Sequence, residues 1–92
     1  MPVIVRIYAS LREKLGWNSR ELDVKGASCK LSDMLSHLSD LKKVIEEFGQ
    51  ENFTILLNGR NIRTLSGLET SVLDGDVIDI FPPAGGGRPF LR

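Results

Sequence analysis

Leu73-Asp74-Gly75-Asp76-Val77-Ile78-Asp79-Ile80-Phe81-Pro82-Pro83 is the stretch whose reading decides the fold. Asp74-Gly75 is a turn pair that delivers the chain into a β-branched and aromatic run, residues 77 to 81, which predicts a strand covered on at least one face. Pro82 and Pro83 stop that strand. Neither ring nitrogen can donate to a ladder and both rings hold φ near about −65°, so the chain leaves the sheet as a stiff, extended spacer. Ala84 and then Gly85-Gly86-Gly87 follow. Without a Cβ these glycines cannot pack and lose much entropy when ordered, which makes them a thread thin enough to enter a narrow cleft on another protein. Residues 1–83 are therefore read as the domain and residues 84–92 as a Gly-rich tail, poorly ordered in the free protein.

Working outward, residues 3–9 alternate, with Val3, Val5, Ile7 and Ala9 on one face and Ile4, Arg6 and Tyr8 on the other, the period of a strand. A charged segment, Leu11-Arg12-Glu13-Lys14-Leu15-Gly16, predicts one helical turn closed by glycine, and residues 20–25 resume the alternation. Ser28 is a candidate N-cap for a helix inside residues 29–48. Behind it Leu31, Met34, Leu35, Leu38, Leu41, Val44, Ile45 and Phe48 recur at spacings of three and four, and Gly49 ends the pattern. The spacing fits one helix, or two short ones broken near Ser39-Asp40. Residues 53–58 predict the next strand, and Asn58-Gly59 is the favoured pair for a type I′ hairpin into Arg60-Asn61-Ile62. Leu65-Ser66-Gly67-Leu68 and Ser71-Val72-Leu73 are expected to pack as a single turn beneath the last strand. The order predicts an α+β fold, a mixed sheet of four to five strands with a helix on one face and the first and last strands paired in parallel.

At 92 residues and 41% hydrophobic the chain has enough apolar surface for one core. Twelve basic and twelve acidic side chains cancel, so no global field draws it to nucleic acid or to an anionic membrane, and neither is expected as a partner. Cys29 is alone, which excludes an internal disulfide and a cysteine-built metal site, and fits a reducing compartment. The N-terminus lacks the layout of a signal peptide and no apolar run approaches the roughly 20 residues that span a bilayer, so a cytoplasmic location is expected. His37 has no second His or Cys spaced to join it as a metal ligand. Cys29 has no visible His-Asp arrangement to activate it. Trp17 is expected in a loop over the edge of the core.

The strand order, the ending Leu73-Asp74-Gly75-Asp76-Val77, then Phe81-Pro82-Pro83 and Gly86-Gly87, together with Ala9-Ser10-Leu11-Arg12-Glu13 and Leu57-Asn58-Gly59-Arg60, resemble the ubiquitin-like β-grasp sulfur carriers, and among them the MoaD group, the small subunit of molybdopterin synthase. The resemblance runs up to Gly87. It implies that Gly87 is the residue whose carboxylate is adenylated and then converted to a thiocarboxylate, with Gly86 its companion in the thread. It also implies that Phe81, Pro82, Pro83, Ala84 and Gly85 contact partners. The implied partners are an E1-like adenylyltransferase, which uses ATP, and the molybdopterin synthase large subunit. The carrier itself would bind no cofactor or metal and would not be an enzyme.

Arg88-Pro89-Phe90-Leu91-Arg92 follow Gly87 and lock its carboxyl in a peptide bond. A processing protease that cuts after Gly87 is therefore a further expected partner. Two other functions share the same features: a ubiquitin-like modifier joined to lysines through Gly87, and a β-grasp interaction domain whose tail is never cut.

Overall fold

The computed structural model describes residues 1–24 and 26–83. In chain order it contains β1 (Val3–Ile7), α1 (Ser10–Leu15), β2 (Ser19–Leu22), β3 (Cys29–Lys30), α2 (Leu31–Ser36), α3 (Ser39–Phe48), β4 (Thr54–Leu57), β5 (Arg60–Asn61), β6 (Ser71–Val72) and β7 (Val77–Phe81). Short 3₁₀ turns occupy Gln50–Asn52, Ile62–Thr64 and Gly67–Glu69.

Five strands form one mixed sheet in the order β2-β1-β7-β4-β5. β1 and β7 are parallel, in register from Ile4↔Val77 to Ile7↔Ile80, and the other pairs are antiparallel. A parallel pair needs a long crossover, and α2 and α3 supply it by crossing one face of the sheet. Period-two alternation puts Val3, Val5, Ile7, Ile55, Ile78 and Ile80 on that face, where they are buried against Leu31, Leu35, Leu41 and Ile45. This is the β-grasp arrangement expected from the sequence.

Asn58 and Gly59 both take positive φ, 51° and 84°, as a type I′ turn demands. The Asn58 side chain also accepts the Val77 amide at 2.9 Å and donates to Asp76 Oδ1 at 3.0 Å. The hairpin turn thereby clamps the start of β7.

Several expectations are corrected. The first helix of the crossover does not start on Ser28. Cys29 and Lys30 instead pair with Val72 and Ser71 in a second, two-stranded sheet, and the first helical amide, that of Leu31, donates to the Thr70 carbonyl at 2.9 Å. Backbone from the 70–72 segment thus takes the place of a capping hydroxyl. The stretch 65–73 is two elements, a 3₁₀ turn and β6, and Leu73 is exposed, not packed. Of the two readings of the crossover, the two-helix one holds, with α2 ending at Ser36 and α3 starting at Ser39. β1 stops at Ile7 because Ala9 turns to φ 54° to start α1. The last residue of the stretch 20–25 and the whole of 84–92, including the order expected of the tail, lie outside the described residues.

Candidate functional site at the end of the central strand

β7 is the middle strand of the sheet, and its last residue is the point from which the chain departs. Phe81 pairs with Thr54 of β4, but the register with β1 ends one residue earlier, at Ile7↔Ile80. On the β1 side a side chain continues the contact. The Tyr8 ring lies on the Phe81 ring with centroids 4.3 Å apart and planes inclined by 9°. Both side chains stand on the face opposite the helices, as the alternation of β1 and β7 requires.

The same face holds Asp79, a carboxylate only 8% exposed. Arg6 grips it with two hydrogen bonds, Nε to Oδ1 at 2.7 Å and Nη2 to Oδ2 at 3.0 Å, and the Tyr8 hydroxyl donates to Oδ1 at 2.6 Å. A fork of this kind satisfies a carboxylate that burial alone would disfavour. The Arg6 hydrogen bonds hold the Asp79 carboxyl below the usual range against the opposing effect of burial, and Tyr8 adds to the lowering. The Asp79 hydrogen bond in turn raises the Tyr8 phenol, with burial in the same direction. The Arg12 guanidinium lies over the Tyr8 ring, 5.0 Å from its centroid, and its Nε donates to the Ile7 carbonyl at 2.7 Å. Arg12 thus ties the end of β1 to α1.

Phe81, Pro82 and Pro83 are half-buried at this strand end. Ala84, Gly85, Gly86 and Gly87 lie outside the described residues. Arg6, Tyr8, Arg12 and Asp79 were not picked out from the sequence. One signal was available: a lone aspartate inside an apolar strand, two residues before Phe81 and so on the same face.

The other residues singled out do not gather into a site. Cys29 and His37 share the lining of an open cleft of about 570 Å³ with Asp23, Asp33 and Lys30. Burial, and next the Asp33 charge, raise the Cys29 thiol, the opposite of activation. His37 is exposed, just past the end of α2. No cluster of three or more metal-ligating side chains occurs among the described residues. Trp17 is half-buried against the core, and its indole N–H donates to Asp40 Oδ2 at 2.9 Å. Among the described residues no helix is long and apolar enough to cross a membrane.

The family model described as ThiS matches residues 5–87. A chain from Archaeoglobus fulgidus, described as a sulfur carrier protein, is 32% identical over 95% of this chain and 100% of its own length. Small archaeal modifier protein 3 of Haloferax volcanii is 30% identical over 95% of this chain and 100% of its own length. The solution structure of small archaeal modifier protein 1 from Methanosarcina acetivorans superposes with a TM-score of 0.71 at 34% identity, covering 94% of this chain and 96% of that one.

Proposed function

The chain belongs to the ThiS family of ubiquitin-like sulfur carriers and modifiers, and from that premise we propose that it carries sulfur on Gly87 for molybdopterin biosynthesis. Residues 88–92 are first removed. The freed Gly87 carboxylate then attacks the α-phosphorus of ATP on an E1-like enzyme, expelling pyrophosphate and leaving an acyl adenylate. A sulfide-level sulfur nucleophile on the activating side displaces AMP to give a thiocarboxylate, which passes its sulfur to a pterin precursor on the molybdopterin synthase large subunit and is returned by water to the Gly87 carboxylate. The protein supplies no catalytic group to these steps. It contributes a rigid body and a thread, and Gly86 keeps the thread narrow enough to reach both partners' active sites.

The observation that carries the reading is the end of β7. Phe81 is held by β4 and by the Tyr8 ring, and two prolines continue from it toward the glycines. A firm strand running into a stiff spacer lowers the ordering cost of presenting a flexible end to a partner.

The test is a comparison of two forms with a cognate E1-like enzyme and ATP. The form ending at Gly87 is expected to release pyrophosphate and then to appear as a thiocarboxylate, heavier by the difference between sulfur and oxygen. The form ending at Arg92 has only an amide carbonyl at Gly87 and is expected to do neither. Adenylation of the longer form without loss of mass overturns the proposal.

The 30% identity to a small archaeal modifier protein favours a second reading, attachment of Gly87 to lysines of target proteins. Recovery of the trimmed form joined to lysines, and never as a thiocarboxylate, would put that reading first.

A further inference from the structure

Resting on the carrier reading above, we propose that Asp79 is a positioning residue for the tail: gripped by Arg6, it fixes the Tyr8 ring through its hydroxyl, and that ring sets the direction in which Phe81-Pro82-Pro83 leaves the sheet.

Every earlier residue of β7 from Val77 to Ile80 has a register partner on β1, whereas Phe81 has one only on β4. A strand end held from one side can swing toward the other. The Tyr8 ring, parallel to Phe81 at 4.3 Å, fills that side. An aromatic ring at the end of a side chain can itself turn, so its value as a wall depends on what holds its far end. Here the far end is the hydroxyl, 2.6 Å from Asp79 Oδ1.

Asp79 cannot drift either. It lies in β7 two residues before Phe81, its backbone in register with Arg6 and Leu56, and both of its oxygens are engaged by the Arg6 fork. The path from Arg6 to Asp79 to Tyr8 to Phe81 therefore closes on one face across two parallel strands. Because Pro82 and Pro83 are stiff, an angular error at Phe81 is carried along the spacer and is not absorbed within it.

The kinetic consequence follows from population arithmetic. If only a fraction of carriers point the tail correctly, the apparent affinity for the activating enzyme falls by that fraction, while the chemistry of a correctly seated tail is unchanged. Loss of the Asp79 to Tyr8 link should raise KM for the carrier and spare kcat.

Three variants of the form ending at Gly87 test this in the pyrophosphate-release assay at saturating ATP. Tyr8→Phe keeps the ring and removes the hydroxyl, and Asp79→Asn weakens the fork. Val72→Ala opens the buried core at β6, a strand of the separate two-stranded sheet, as a control for lost stability. Tyr8→Phe and Asp79→Asn are expected to raise KM by about five- to tenfold with kcat held within about twofold, and Val72→Ala to lower the melting temperature without raising KM. In the full-length chain, the Phe81 ring-proton resonances, displaced by the Tyr8 ring current, should move toward solvent values in both site variants. Unchanged KM in Tyr8→Phe and Asp79→Asn overturns the proposal, as does an equal rise in Val72→Ala, or Phe81 resonances that do not move. An inactive unsubstituted form is a different failure: it overturns the carrier reading, while the Phe81 resonances still decide whether Asp79 fixes the ring.

Discussion

A carboxylate set between Ile78 and Ile80, both fully buried, would be costly without partners, and the three hydrogen bonds to Asp79 are what make it tolerable. They also make stability depend on pH. The folded carboxyl lies below its ordinary value, so its contribution is fully present above the unfolded value of about 3.9 and is lost as pH falls through the folded one. Asp79→Asn is expected to cost about 1 to 3 kcal/mol near neutral pH, with the gap between the two proteins narrowing as pH drops through that window in urea titrations. Parallel curves would mean the carboxylate charge contributes nothing. Arg6 is half exposed and can be rehydrated when its partner is removed, which keeps the loss modest. Next to this group, Ala9 sits at φ 54° and ψ −131°, backbone space that a Cβ strongly disfavours. Ala9→Gly should therefore raise stability by about 1 kcal/mol, the relief of strain exceeding the extra unfolded-state entropy of glycine. A drop in the denaturation midpoint would show that Ala9 is relaxed in solution.

Among the elements, the crossover helices tie the sheet's apolar face together. Leu35 and Leu38 are 4% and 2% exposed, and cutting either to Ala is expected to cost about 2 to 5 kcal/mol by chemical denaturation. Leu38 sits between α2 and α3, where the chain leaves helical geometry at φ −120° and ψ 74°. Its burial shows that the break between the helices still points an apolar side chain inward. This much was legible from spacing alone: the period of β1, the Asn58-Gly59 turn and the run of apolar residues at three and four all led to the observed elements. β3 and β6 were not legible, because two-residue strands are too short to show a period. The backbone cap from Thr70 to Leu31 was hidden for a related reason, since a carbonyl acceptor leaves no mark in residue type. The Arg6–Asp79–Tyr8 group was missed because it depends on the register of two strands more than 70 residues apart in sequence, and parity fixes a residue's face but not its neighbour on the next strand.

In the molecule as a whole, the first and last strands lie side by side at the centre of the sheet, and the buried core runs in sequence from Val3 to Ile80. β7 has strands on both sides, so no part of the sheet is complete without it. A form ending at Asp79 would lose Ile80, fully buried between Ile7 and Ile55, together with Phe81, and is expected not to fold cooperatively. A form ending at Gly87 keeps every buried residue among those described. Calorimetry should therefore find its unfolding temperature within about 4 °C of that of the full-length chain, the shift that about 1 kcal/mol produces in a domain of this size. That equality has functional weight, because the proposed removal of residues 88–92 would then change the chemistry of Gly87 without altering the body that presents it. A form ending at Gly87 that melts well below the full-length chain would instead mean that residues 88–92 pack on the domain, and processing would have to be counted as a conformational event as well as a covalent one.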